Sequence, residues 1–165
     1  MPCCLVGSEM CIRDRVVGKK TAGKLVLENG PFVSTQGPSA VGAYPHLHRV
    51  GDLIFVSGIG PRTPVTNEIP GGPIKDEDGN PLDYDIKAQT RSVIDNIRII
   101  LEEYGSSLEN VVDVYSMLVD MDRDFSGYNE VYAEYFSEIM PSRTTCSVSA
   151  LPTPIAVELK VIAKA

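Results

Sequence analysis

The stretch Asp85-Ile-Lys-Ala-Gln-Thr-Arg-Ser-Val-Ile-Asp-Asn-Ile-Arg-Ile-Ile-Leu-Glu-Glu-Tyr-Gly105 is the most regular in the chain. Ile86, Val93, Ile97, Ile100, Leu101 and Tyr104 recur at three- and four-residue spacing, which predicts a helix with one apolar face. Arg91, Asp95, Arg98 and Glu102 ladder the opposite face with alternating charge. Asp85 is placed to cap the first turn, and Gly105 to end the last one in the left-handed conformation.

Downstream, Val111–Val119 reads as a central strand. Ser126–Met140 reads as a second helix, with Tyr128, Val131, Tyr132, Tyr135, Phe136 and Ile139 turned inward and Pro141 beyond its end. Strands over 143–148 and 156–162 follow. Upstream, short strands are expected at Lys24–Leu27 and Pro31–Ser34. A hairpin is expected over His46–Val50 and Leu53–Ser57, turning at Gly51-Asp52. Ile54 and Val56 occupy one hairpin face and Leu53, Phe55 and Ser57 the other, so both faces are expected to be covered.

Thr35–Pro45 and Gly58–Asp83 are loops, the second with prolines at 61, 64, 70, 73 and 81 that forbid a helix or a central strand. Asp76-Glu-Asp-Gly-Asn80 resembles a calcium loop superficially, but the ligand alternation starts one position short and residue 85 is Asp, so a solvated turn is expected. The element order predicts an α+β fold with both helices on one face of the sheet. Two helices cannot cover both faces of so wide a sheet, so self-association through the second face is expected, with sites between subunits.

A chain of 165 residues with 43% hydrophobic and 22% charged residues is expected to form one globular domain. No apolar run approaches the roughly 18 residues of a membrane span. Residues 1–15 fit nothing that follows. Val6-Gly-Ser-Glu-Met-Cys-Ile-Arg-Asp-Arg15 looks like a translated sequencing adapter, so the segment reads as non-native. Cys3, Cys4 and Cys11 lack a fourth ligand at zinc-site spacing, and no metal is expected.

Residues 16–30 read as a flexible arm and 31–165 as the domain, in which Cys146 is the single thiol. That cysteine usage suits a reducing, cytoplasmic setting. Residues 1–24 carry five of the 15 basic and two of the 22 acidic residues, leaving a net charge of −10 beyond them. Such a body repels nucleic acid and anionic membranes.

The chemistry concentrates near the C-terminus. Arg143, Thr145 and Ser147 share one strand face, and Glu158 interrupts an apolar strand in which Val157, Leu159 and Val161 face the other way. A guanidinium that grips a carboxylate and a carboxylate that holds a water make a kit for hydrating an anionic substrate. The same two residues also suit an ordinary pair on a solvated sheet face.

Gly42-Ala-Tyr44, Val56-Ser-Gly58, Gln89-Thr90, Asn96-Ile97, Asp124-Phe125 with Asn129 and Tyr132, Pro141-Ser-Arg143, Leu151-Pro152 and Val157-Glu158 fall in the order and spacing of the Rid (YjgF-type) reactive-intermediate deaminases. The resemblance runs from about residue 33 to the C-terminus. It implies a chorismate-mutase-like fold and a homotrimer with intersubunit sites. It also implies cofactor-free hydrolysis of a small anionic enamine or imine to a carbonyl compound and ammonia.

By this resemblance Arg143 binds the substrate carboxylate, Glu158 is the catalytic carboxylate, Tyr44 and Ser57 line the pocket, and Asn129 and Thr145 complete it. Ala43, Ile59 and Thr145 replace the proline, glutamine and cysteine frequent in the family. Tyr44-Pro-His46, the long loop after Gly58 and Tyr128-Asn-Glu-Val-Tyr132 look most like the 2-aminomuconate deaminase branch. That substrate is a dicarboxylate, so a second cation is expected, with Arg62 favoured over Arg49 and His46. A general 2-aminoacrylate-type deaminase and a non-catalytic metabolite binder are the alternatives.

Overall fold

The computed structural model describes residues 19–21, 24–26 and 28–165. The segment 1–15, with Cys3, Cys4 and Cys11, lies outside them, as does part of the arm at 16–30. Strands β1 (Lys19–Thr21) and β2 (Lys24–Val26) pair as a separate two-stranded ribbon. The main sheet is built from β3 (Gly30–Phe32), β4 (Leu47–Val50), β5 (Leu53–Val56), β6 (Val111–Leu118), β7 (Ser142–Ser147) and β8 (Val157–Lys164). Helix α1 (Ile86–Tyr104) precedes β6, and α2 (Met121–Phe136) joins β6 to β7. The six strands run in the order β3-β4-β5-β8-β6-β7, antiparallel except for the β6–β7 pair.

Alternation along the strands decides which face is covered. Val157, Leu159, Val161 and Ala163 of β8 are buried, as are Ile54 and Val56 of β5 and Val114 and Leu118 of β6. They meet Val93, Ile97, Ile100 and Leu101 of α1 and Tyr128, Val131 and Phe136 of α2 in one core. Each such fully buried aliphatic or aromatic side chain is worth on the order of 1.5–3 kcal/mol. The fold is therefore the expected α+β mixed sheet with both helices on one face. Asp85 caps α1 by accepting from the N–H groups of Lys87 and Ala88, and Gly105 ends it at φ 97°.

Three expectations are corrected. Helix α2 starts at Met121 rather than Ser126, because the Asp120 side chain accepts from the Arg123 N–H at 3.0 Å and Asp122 and Asp124 favour the positive helix end. Its first turn is too polar to show apolar periodicity. At the other end the helix stops at Phe136, and Met140 turns away at φ 52°. The second hairpin face is left open among the described residues, with Leu53 40% and Phe55 37% exposed. On that open face Asp113, Tyr115, Lys160 and Ile162 line a cavity of about 350 Å³.

Two buried amides hold the proline-rich loop on the helix. Gln89 donates to the Gly72 carbonyl at 2.8 Å and accepts from the Ala156 N–H at 2.8 Å. Asn96 donates to the carbonyls of Gly60 (3.0 Å) and Arg62 (2.9 Å). Backbone groups in an irregular segment need such partners once they leave water. At Asp76–Asn80 the aspartate accepts from the Asn80 N–H and side-chain amide at 2.8 and 2.9 Å, closing the expected turn.

Candidate active site

Arg143 stands on the edge strand β7, in register with Val114, and Thr145 is in register with Ser116. Val114 and Ser116 are fully buried beneath the helices, so Arg143 projects to the helix side. Its Nη1 donates to Asn129 Oδ1 at 2.9 Å. Its guanidinium lies 4.5 Å from the Tyr132 ring centre and 5.7 Å from that of Tyr128, within cation–π range. A planar cation held over an aromatic ring and tethered to an amide oxygen is oriented for gripping a carboxylate.

Behind it, the buried Tyr128 hydroxyl meets Ser116 Oγ at 2.6 Å. Burial pushes the Tyr132 phenol up to about 12, with Tyr128 adding to the shift and Arg143 opposing it. The Tyr132 hydroxyl and Thr145 Oγ1 are buried without a hydrogen-bond partner among the described residues. The sequence places Tyr128 and Tyr132 on the inward face of the helix and in the family pattern, but gives neither a role beside Arg143. Their spacing four apart, astride Asn129 on a helix, was the available signal for a shelf under an arginine.

Glu158 belongs to a second group of residues. On β8 it is in register with Met117, on the face opposite Val157 and Leu159. It is half-buried, and burial raises its carboxyl above the usual range. Gly58 lies against it, because Ile59 and Leu159 exchange backbone hydrogen bonds at 2.8 and 3.0 Å. A Cβ added at Gly58 would stand 2.2 Å from Glu158 Oε1, so the carboxylate occupies the space that the missing side chain leaves.

Gly58, Tyr44 and Arg62 line one narrow cleft of about 20 Å³. The Tyr44 hydroxyl accepts from the Val41 N–H at 3.3 Å, and Ser57 Oγ donates to the Pro45 carbonyl at 2.6 Å. Arg62 donates to the Ser39 carbonyl at 2.7 Å and to Asn67 Oδ1 at 3.2 Å. His46 is buried; its Nδ1 accepts from the Ser34 N–H at 3.0 Å and its Nε2 donates to the Pro38 carbonyl at 2.7 Å. That pattern is the neutral imidazole, so His46 is removed as a candidate cation. Arg49 donates from Nε to the Gly51 carbonyl at 2.7 Å, on the β4–β5 hairpin.

The residues expected together thus form two groups. Arg143, Asn129 and Thr145 lie on the helix side of the sheet; Glu158 lies on the open side, next to the Tyr44 cleft. The alternative of Arg143 and Glu158 as an ordinary pair on one sheet face is excluded, because β6 separates β7 from β8 and the two side chains leave opposite faces. Cys146 takes the open side, with Sγ 3.1 Å from the Tyr115 hydroxyl.

The family model described as Endoribonuclease L-PSP matches residues 34–165. A RutC family protein of Pyrococcus abyssi is 43% identical over 128 residues, covering 78% of this chain and 91% of its own. The chain belongs to the Rid (YjgF-type) family. Reactive Intermediate Deaminase A, chloroplastic, of Arabidopsis thaliana is 33% identical over 132 residues, 79% of this chain and 64% of that protein. The crystal structure of RidA from an Antarctic Psychrobacter superposes with a TM-score of 0.70 at 33% identity, covering 81% of this chain and 98% of that one. Rid membership supports deaminase activity on enamines and imines in general. No helix among the described residues is long and apolar enough to cross a membrane.

Proposed function

We propose that this Rid-family chain hydrolyses 2-aminomuconate, releasing ammonia without a cofactor, in a cytoplasmic homotrimer. The observation that carries the reading is Glu158: a carboxyl raised by burial, with no hydrogen bond or ion pair within the described chain. A carboxyl shifted in that direction holds its proton more readily than a solvated one, which suits it to passing protons. The Glu158 carboxyl gives its proton to the enamine carbon, leaving an iminium and a carboxylate. Water adds to the iminium carbon as one of its protons returns to Glu158; that proton then goes to the carbinolamine nitrogen, and ammonia leaves as the hydroxyl proton passes back to the carboxylate. Arg143 holds the neighbouring carboxylate, Tyr44 and Ser57 border the reacting atoms, and Asn129 and Thr145 line the Arg143 side.

Assembly from several copies is supported by two features. The Tyr44 cleft is too small for a substrate by itself, and an uncovered sheet face bears Leu53, Phe55 and Tyr115. A neighbour's Arg143 brought over the Tyr44–Glu158 cleft completes the site. Arg62, on the rim of that cleft, serves the second carboxylate.

One observation favours a second substrate. Arg62 already holds Ser39 and Asn67, which suits a monocarboxylate such as 2-aminoacrylate. Ammonia release measured on both substrates decides between them: the proposal requires faster turnover of 2-aminomuconate. Turnover of neither leaves a metabolite-binding protein. An RNA-directed activity is disfavoured by the net charge of −10 beyond residue 24.

A further inference from the structure

Tyr44 stands on the segment 34–45, which contains neither helix nor strand. Whatever holds this loop sets where the phenol lies. The largest tether comes from Glu103, in the last turn of α1. Its carboxylate accepts from the Thr35 N–H at 3.0 and 3.2 Å, the Thr35 hydroxyl at 2.7 Å, the Gln36 N–H at 3.2 Å and the Ser34 hydroxyl. Ser34 Oγ in turn accepts from the Gly37 N–H at 2.7 Å. Gly37 is pressed against the helix, since a Cβ there would lie 2.8 Å from Ile100 Cγ1.

Helix energetics do not account for Glu103. A negative charge in the last turn opposes the helix dipole, and that turn holds no basic residue. Among the described residues Glu103 makes no ion pair. Burial raises its carboxyl, but the bonds from Ser34, Thr35 and Gln36 outweigh burial and hold it below the usual range. The pinned segment then runs into the cleft wall. Pro38, Ser39 and Ala40 line the same cleft as Tyr44, and His46 and Arg62 hold the carbonyls of Pro38 and Ser39.

We propose that Glu103 is a positioning residue for the Tyr44 side of the site, acting through the loop it pins. The inference rests on the role proposed for Tyr44. In the full chain, Glu103→Ala is expected to speed amide hydrogen exchange at Thr35, Gln36 and Gly37 at least tenfold, with α1 unchanged. Glu103→Gln, which keeps the side-chain shape, should have an intermediate effect. Glu103→Ala should also lower kcat/KM on the enamine several-fold, and adding it to Tyr44→Phe should cost little beyond Tyr44→Phe alone. Unchanged loop exchange, or losses that simply add, would overturn the proposal and leave the deaminase reading standing. A fully active Tyr44→Phe would overturn it together with the role of Tyr44.

Discussion

Arg143 and Glu158 leave opposite faces of one sheet: Arg143 is in register with Val114 toward the helices, and Glu158 with Met117 toward the open side. A substrate held by one chain's guanidinium is therefore turned away from that chain's carboxylate. Mixing subunits tests whether the two meet across copies. Arg143→Ala and Glu158→Ala should each be inactive alone, while co-assembled equal amounts should recover about a quarter of wild-type activity, as random pairing across a cyclic trimer requires. Mixed assemblies no more active than their parents would place both groups of a site in one copy.

Arg143→Lys keeps the charge but loses the planar fork that stacks on Tyr132. A fall of at least about tenfold in kcat/KM, or ~1.4 kcal/mol, is expected in steady-state kinetics. Tyr132→Leu removes the shelf and should raise KM several-fold, in line with a cation–π contact of about 0.5–2 kcal/mol. Tyr132→Phe keeps the ring and deletes a hydroxyl without a partner, so it should keep near-normal KM.

Glu158→Gln should lower kcat with a modest effect on KM. Its stability carries the opposite sign. Because burial raises the folded-state carboxyl above its ordinary range, ionised Glu158 costs stability at pH 8 and neutral Glu158 does not. The variant should therefore melt at or above the wild-type temperature at pH 8, and the gap should close as pH falls below the unfolded-state value. A variant less stable at pH 8 would contradict the assigned burial effect.

Tyr84 donates to the buried Asp124 carboxylate at 2.7 Å, and the Arg123 guanidinium lies 3.7 Å from the Tyr84 ring centre. Burial raises the Asp124 carboxyl, with the Tyr84 bond and Arg123 opposing it, and Oδ1 has no hydrogen-bond partner among the described residues. Tyr84→Phe strips the carboxylate of its one hydrogen bond from a side chain. A loss of about 1–3 kcal/mol in urea unfolding is expected.

Arg62→Ala should slow 2-aminomuconate several-fold or more and barely change a monocarboxylate imine. Equal losses on both substrates would reassign Arg62 to holding Ser39 and Asn67 in place.

Local pattern determined much of this protein. The apolar period and both caps of α1 were readable in 85–105, the hairpin from Gly51-Asp52, and the alternation of β8 from Val157 to Ala163. Those features depend on residues a few positions apart. The start of α2 escaped because capping by Asp120 leaves no apolar period.

Arg143 and Glu158 were legible as candidates from strand alternation and residue chemistry, and Tyr44 through the family resemblance, but their grouping was not. Strand order and register are long-range choices: β8 beside β5 brings Gly58 to Glu158, while the β6–β7 register turns Arg143 to the helix face. The neutral His46, the Tyr132 shelf and the Glu103 tether depend on partners 12, 11 and up to 69 positions away. Only the folded chain brings such groups within hydrogen-bond or stacking range, because that proximity comes from burying the core rather than from local backbone preference.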